Sequence, residues 1–300
     1  MVETPVLYIT FARPEYASQS FAAIKKAQPK KMYFYSNKAR DEKPDEVARN
    51  HEVRSYVEQI DWDCEVKTWF RDEYVDVFTS IWGAIDWIFS NEEKAIVIEE
   101  DVVASLAFFD YVEHLIDKYK YNKKVWIISG DNGWPEFNPK GLSYFPTRFP
   151  DIYGWASWKD RWDSLDREMK HWPKFKKTKA FHDYYGNFLQ RELSSLYFEQ
   201  VYNKLPKYNP WDFIFTYNMV RSGGYCLMPD RNLVQDIGVM GANHRQSILS
   251  PFYNLGTDKD YFDISGEPKE IVPTSYDRKY YYENRLKGLI RRKIKNYLHL

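Results

Sequence analysis

The stretch that decides the fold is Ala95-Ile96-Val97-Ile98-Glu99-Glu100-Asp101, an apolar run that leads directly into three acidic residues. A short apolar run of this kind predicts a buried strand. Three adjacent carboxylates at its end repel one another, which costs stability unless a cation or hydrogen-bond donors compensate. Oxygen ligands suit Mg²⁺ or Mn²⁺, which proteins hold with one or two carboxylates and a substrate's phosphates. A solvated acidic turn is the alternative, and a short motif alone does not decide between them.

Similar runs recur on both sides of this stretch, separated by helical patterns. We predict five strands, at residues 6–11, 31–35, 64–70, 95–98 and 125–128. Repeated strand–helix units imply a mostly parallel sheet with helices on both faces. Ligands bind beyond the carboxyl ends of the strands in such sheets, so the residues that follow each strand are the first candidates for a site.

The alternation ends after about residue 131, in a loop region rich in proline and glycine, and helical patterns return from about residue 174. No linker marks two independent domains. We therefore expect one α/β domain over 1–245, with halves at about 1–131 and 132–245, followed by an extension over 246–300.

Composition excludes some classes of protein. The 300 residues carry 43 Lys and Arg against 43 Asp and Glu, which argues against a broad nucleic-acid-binding field. Cys64 and Cys226 form no zinc or dithiol motif, and a reduced, cytoplasmic protein is the simplest fit. We find neither a secretory signal nor an apolar run near the ~18 residues of a membrane span. Aromatic residues make up 18% of the chain, and their rings serve both cores and sugar-binding surfaces.

Several segments, taken in order, resemble a known family. The opening Val6-Leu7-Tyr8-Ile9-Thr10-Phe11-Ala12-Arg13-Pro14 is similar to that of bacterial glycosyltransferases with the GT-A fold, which are related to N-acetylglucosaminyltransferase I. These enzymes carry an apolar strand ending in Glu-Asp-Asp, where this chain has Glu99-Glu100-Asp101. Further similar segments are 60–68, 129–132, 153–158 and 210–212. The likeness spans about residues 5–245, and the order and spacing of the motifs carry it.

The resemblance implies a GT-A-like nucleotide-sugar-binding fold, with a mostly parallel central sheet flanked by helices and an irregular, helical second half. The halves 1–131 and 132–245 would then bind the nucleotide and the acceptor. It also implies a hexosyl- or N-acetylhexosaminyltransferase that uses a nucleotide-diphospho-sugar, in particular a UDP-sugar, and a glycan or other hydroxyl acceptor. The transfer would be inverting and would depend on Mn²⁺ or Mg²⁺.

The acidic triplet takes the donor-binding roles in this resemblance. Asp101 would ligate the metal that bridges the donor diphosphate, and Glu99 and Glu100 would face the ribose or the sugar. Glu100 stands where the family has an Asp. Arg13 would approach the uridine or the phosphates, since a planar guanidinium suits phosphate recognition.

Two further positions correspond to the family's base-binding segment. Asn37 stands where an Asp often contacts the base, and an amide still hydrogen-bonds to a uracil edge. Arg40 ends the segment that corresponds to Asp-Gly-Pro-Arg. The glycines that relatives carry after the third strand are absent from 74–78 here, which removes a close backbone approach to the donor.

Asp212 is the candidate general base that would take the proton of the acceptor hydroxyl. Trp211 beside it would raise the carboxyl pKa by desolvation. The alternative is an acid at a helix N-terminus, where the helix dipole favours it.

Four more contacts are implied with alternatives left open. Trp155 and Trp211 would stack on sugar rings, or Trp155 would anchor the core. Asp131 would bind a sugar or cap the next turn. His244 would ligate the metal or touch phosphate, although a lone loop histidine commonly does neither.

The segment 286–298 is basic and has apolar residues at helical spacing. It would contact anionic lipid at a membrane surface, or pack on the domain with a solvated basic face.

Two other classes of function remain open. A sugar nucleotidylyltransferase would carry a Gly-rich loop after the first strand, and 11–14 contains no glycine. A non-catalytic sugar-binding protein derived from a transferase is the other alternative, because Asn37 and Glu100 depart from the family pattern. A glycoside hydrolase would use two separated carboxylates, and the acidic triplet fits a metal better.

Overall fold

The computed structural model describes residues 2–238 and 261–286. The elements of the first half are β1 (Val6–Thr10), α1 (Pro14–Ala27), β2 (Lys31–Ser36), α2 (Pro44–Ser55), β3 (Glu65–Phe70), α3 (Val77–Asn91), β4 (Lys94–Glu99), β5 (Val102–Ala104), α4 (Leu106–Ile116) and β6 (Val125–Ser129). The second half contains β7 (Tyr144–Thr147), β8 (Trp155–Trp158), α5 (Lys159–Asp163), α6 (Trp172–Phe175), α7 (Lys179–Tyr185), α8 (Phe188–Tyr202), α9 (Trp211–Arg221), β9 (Tyr225–Pro229), β10 (Val234–Asp236) and α10 (Ser275–Tyr280).

The central sheet has the strand order β3-β2-β1-β4-β8-β6-β9-β7. Strands β3, β2, β1 and β4 are parallel neighbours, and β6 is parallel to β9. Strand β8 is antiparallel to both β4 and β6, and β7 is antiparallel to β9. The predicted α/β class with a mostly parallel sheet is confirmed.

Helices cover both faces of this sheet, as the alternation along β1 shows. Val6 and Tyr8 face a cluster that contains residues of α1 and α4, whereas Leu7 and Ile9 face a cluster with residues of α3 and α9. Strands buried on both faces read as continuous apolar runs, which is why the sequence pattern identified them.

Strand β8 lies within a region where the sequence predicts loops and core anchors. It pairs Ala156 with Ile96 of β4 on one side and with Ile128 of β6 on the other. Trp155 and Trp158 point to opposite faces of the sheet and belong to different core clusters. Four residues with large rings on both faces show no period, so the pattern does not predict a strand.

The described part of the extension, 261–286, packs on the domain. Asp277 of α10 is buried, and its Oδ1 accepts a 2.6 Å hydrogen bond from the Thr147 hydroxyl. The Arg148 Nε lies 3.0 Å from Asp277 Oδ2, close enough for an ion pair without the geometry of a hydrogen bond. The predicted boundary at 245/246 falls outside the described residues. In 2–238 and 261–286, we find no helix whose length and apolar character would let it cross a bilayer.

We expect the burial of Asp277 to make the free energy of unfolding depend on pH. Burial raises the pKa of Asp277 to about 6, although Arg148 opposes that shift. Its contribution to stability is therefore fully present below about pH 4 and is lost as the pH rises through about 6. Urea unfolding across this range should show the wild type losing stability relative to Asp277→Asn. Asp263→Asn, at an exposed position of the same segment, should follow the wild type. A difference between wild type and Asp277→Asn that stays constant with pH would contradict this expectation.

Candidate functional site

The acidic triplet lies at the carboxyl end of β4, in the middle of the sheet. Glu99 is the last residue of β4 and stands level with Ile9 of β1. The chain then leaves the central sheet through β5, which pairs with β10 and aligns Val102 with Asp236. The carboxyl ends of β1 and β4 and the end of β10 thus lie close together.

Glu100 is turned into the protein. Its side chain is 3% exposed, with Oε1 accepting from Arg13 Nε at 2.6 Å and Oε2 accepting from the Phe11 amide at 2.7 Å. Burial raises its pKa, and Arg13 opposes that shift. Both oxygens thus bond to the turn after β1, and contact of Glu100 with a ribose or a sugar stays a prediction.

Asp101 faces the other side of the same guanidinium. Its Oδ2 lies 2.9 Å from Arg13 Nη1, and its backbone carbonyl accepts from the Ile237 amide at 2.8 Å. Gly238 lies against the carboxylate so closely that a Cβ there would overlap it. The structure therefore brings Arg13 and Asp101 together. Their shared role at a diphosphate stays a prediction.

Glu99 is surrounded by negative charge. Burial and then the charge of Asp101 raise its pKa to about 8, Arg13 opposes the shift, and Asp236 and Asp212 add to it. Asp212 and Asp236 are thus within electrostatic reach of the triplet. Sequence reasoning missed Asp236, which is the last residue of β10 as Glu99 is the last residue of β4.

Among the described residues that act on Glu99, the carboxylates of Asp101, Asp212 and Asp236 outnumber the guanidinium of Arg13. Carboxylate oxygens are the ligands that hard divalent cations take, so the residues fit such a cation in charge and chemistry. Within 2–238 and 261–286, no three of the His, Cys, Asp and Glu side chains are grouped to hold a metal by themselves. A cation at Asp101 would therefore need oxygens from a bound diphosphate, which is how Mg²⁺ is commonly held. His244, the other expected ligand, lies outside the described residues.

Asn37 and Arg40 have protein partners. The Asn37 amide donates to the Val75 carbonyl at 2.8 Å and accepts from the Val75 amide at 3.3 Å, so it bridges the end of β2 to the loop before α3. Arg40 Nε donates to Glu46 at 2.9 Å. These contacts give both side chains a structural role, and their contact with a nucleotide stays a prediction.

Asp212 lies in the first turn of α9 and is half-buried beside a packed pair of indoles. The rings of Trp155 and Trp211 stack on one another at 5.3 Å and are only 1% and 7% exposed. Both rings therefore belong to the packed core. Stacking of Trp155 or Trp211 on a sugar stays a prediction.

Asp131 is also buried, at 2% exposure, and its Oδ2 has no hydrogen-bond partner among residues 2–238 and 261–286. Burial, and then the charges of Asp151 and Asp236, raise its pKa well above the ordinary value. The next turn is capped by Asn132, whose Oδ1 accepts from the Trp134 amide at 3.1 Å. Both roles expected of Asp131, sugar binding and capping, stay predictions. A wide groove lined by Lys118, Lys124 and Ile271 lies at the opposite end of β6 from Asp131. Its lining includes none of the expected site residues described above.

Comparisons with known proteins give only distant likenesses. No protein-family model matches the sequence, and no curated protein does. Among solved structures, an apo UDP-glucose pyrophosphorylase is 9% identical, with 79% of this chain and 94% of that chain covered at a TM-score of 0.38. Mouse xyloside xylosyltransferase 1 in its apo form is 12% identical, with 73% of this chain and 81% of that chain covered at a TM-score of 0.33. The glycosyltransferase GlyE of Streptococcus pneumoniae TIGR4 is 11% identical, with 55% of this chain and 36% of that chain covered at a TM-score of 0.29.

These values do not show a relation to N-acetylglucosaminyltransferase I. At identities near a tenth and TM-scores below 0.5, the function has to be inferred from the residues of this chain.

Gly238→Ala should destabilise the protein by about 1–3 kcal/mol, the usual range for an added methyl group in a packed place. The new Cβ would overlap the Asp101 carboxylate. Gly83→Ala in α3 is the matched control, since its Cβ would meet chiefly the flexible end of Arg71 and alanine favours a helix. Urea unfolding of both variants tests this, and equal stability of Gly238→Ala and wild type would contradict it.

Proposed function

We propose that this chain is a glycosyltransferase that moves a sugar from a nucleotide-diphospho-sugar, in particular a UDP-sugar, to a hydroxyl of a glycan or similar acceptor. The observation that carries the proposal is the contact of Arg13 with Asp101 at the carboxyl end of β4, where Asp212 acts electrostatically on Glu99. This supports a phosphate-binding role for Arg13, a metal-binding role for Asp101 and a base role for the half-buried Asp212.

Each residue has a distinct role in the proposed reaction. Arg13 binds the donor phosphates, and Glu100 positions Arg13 through its buried carboxylate. Asp101 would hold Mn²⁺ or Mg²⁺, which supplies charge neutralisation for the departing diphosphate when bound. Asp212 takes the proton of the acceptor hydroxyl while the acceptor oxygen forms its bond to the anomeric carbon. The bond from that carbon to the diphosphate oxygen breaks, and its electron pair leaves with the diphosphate, which inverts the anomeric centre.

Asp101→Asn and Asp212→Asn should have separable effects. Asp101→Asn should weaken UDP binding in the presence of Mn²⁺ by roughly tenfold or more, about 1.4 kcal/mol. Asp212→Asn should leave UDP affinity unchanged and lower turnover by roughly 10²–10⁴, the range for general acid–base catalysis. UDP release from a panel of UDP-sugars measures turnover, and calorimetry measures affinity. Asp183→Asn, an exposed acid in α7, is the control that should change neither. Full turnover by Asp212→Asn would exclude it as the base.

Thermal stabilisation separates the proposed function from its alternatives. UDP with Mn²⁺ at about 100 times its dissociation constant should add about 2.7 kcal/mol to the free energy of unfolding. Stabilisation by free oligosaccharide alone would favour a non-catalytic sugar-binding protein. Release of pyrophosphate from a nucleoside triphosphate and a sugar phosphate would favour a nucleotidylyltransferase.

We also propose that the segment 286–298 contacts a membrane surface, on the basis of its five Lys and Arg residues between 287 and 295 and its apolar spacing. Residues 287–298 lie outside the described part of the chain. Co-sedimentation with phosphatidylcholine vesicles, with and without phosphatidylserine, should show binding to the anionic vesicles that is lost when 287–300 are removed. Equal partitioning of the two proteins would reject this contact.

A further inference from the structure

Among the described residues, Arg13 is the cation that pairs with the strand-end acids Glu100 and Asp101. Its Nε donates to Glu100 at 2.6 Å, and its Nη1 lies 2.9 Å from Asp101 Oδ2. The Glu100 side chain is 3% exposed, while that of Arg13 is 36% exposed. The guanidinium is therefore anchored at one end by a buried carboxylate and stays partly accessible at the end that meets Asp101.

The backbone of Arg13 is held in place independently of these acids. Arg13 is the N-cap residue of α1, with Pro14 following it, and its carbonyl accepts from the amides of Tyr16 and Ala17. Exchange of the Asp101 partner would thus need only a side-chain movement about a fixed backbone. Glu100 limits that movement, because it retains the Nε end.

The two ends of the guanidinium have different partners, which allows such an exchange when a diphosphate arrives. Nε is held by the buried Glu100, whereas Nη1 meets the more exposed Asp101. A diphosphate adds further negative charge, for which the guanidinium is a good bidentate partner. If Arg13 turns toward the phosphates, Asp101 loses its counter-ion and its affinity for a divalent cation rises.

Resting on the proposed function, we infer that Arg13 is an exchangeable counter-ion that couples metal binding to nucleotide binding. In the free protein it pairs with Asp101 and lowers the affinity of the acidic cluster for a divalent cation. With a nucleoside diphosphate bound, it pairs with the phosphates and leaves Asp101 to the metal. By linkage, the metal must then strengthen nucleotide binding by the same factor.

Mn²⁺ titrations of the full chain, followed by the EPR signal of free Mn²⁺ with and without UDP, test this inference. For the wild type, UDP should tighten Mn²⁺ binding by roughly tenfold or more. Without UDP, Arg13→Gln should bind Mn²⁺ several-fold more tightly than the wild type does. Addition of UDP should then increase the Mn²⁺ affinity of Arg13→Gln by a smaller factor than it increases that of the wild type. Arg13→Lys retains the positive charge and should stay close to the wild type without UDP. Arg49→Gln is the matched control, since Arg49 is a partly exposed arginine paired with Glu15.

The outcomes distinguish this inference from the proposed function. Folding of each variant is checked by circular dichroism. A folded Arg13→Gln that binds Mn²⁺ no more tightly than the wild type without UDP would overturn the inference alone. So would a wild type that binds UDP but shows the same Mn²⁺ affinity with and without it. A wild type that binds neither UDP nor another nucleotide with Mn²⁺ would overturn the proposed function and this inference together.

Discussion

A carboxylate buried at the carboxyl end of a central strand needs partners for both of its oxygens, and the candidate site is organised by that need. Glu100 finds them in the Phe11 amide and in Arg13, which draws the turn after β1 against the end of β4. An unpaired buried charge is strongly destabilising, so this joint constrains the local backbone. It also determines where Arg13 lies, and hence where Asp101 meets a cation. The contact of Glu100 with Phe11 and Arg13 therefore affects both the packing of β1 against β4 and the geometry of the site.

Most of the first half of the fold could be predicted because β1, β2, β4 and β6 are buried on both faces. Such strands leave continuous apolar runs, and the helices between them leave a period of 3.6 residues. The second half could not be predicted in the same way. Strand β8 is four residues long, and its place between β4 and β6 depends on pairing with segments distant in sequence. Nothing in Trp155-Ala156-Ser157-Trp158 distinguishes such a strand from isolated core anchors.

The candidate site shows the same division. The rule that ligands bind at the carboxyl ends of parallel strands led to Glu99, Asp101 and Arg13, and these residues do lie together. Asp236 was missed because it reaches the site through the pairing of two three-residue strands. The mutual stacking of Trp155 and Trp211 was likewise hidden, since a ring that packs on another ring has the same sequence signature as one that packs on a sugar.

The antiparallel strand β8 also has a consequence for folding. Strands β4 and β6 are not neighbours in the sheet, because β8 lies between them and belongs to the second half. A chain that ended near residue 131 would leave both strands with an unpaired edge in the middle of the sheet, which invites association with other chains. The segment 1–131 therefore does not contain the strand that joins β4 to β6, and the two are joined in one sheet only through Trp155–Trp158.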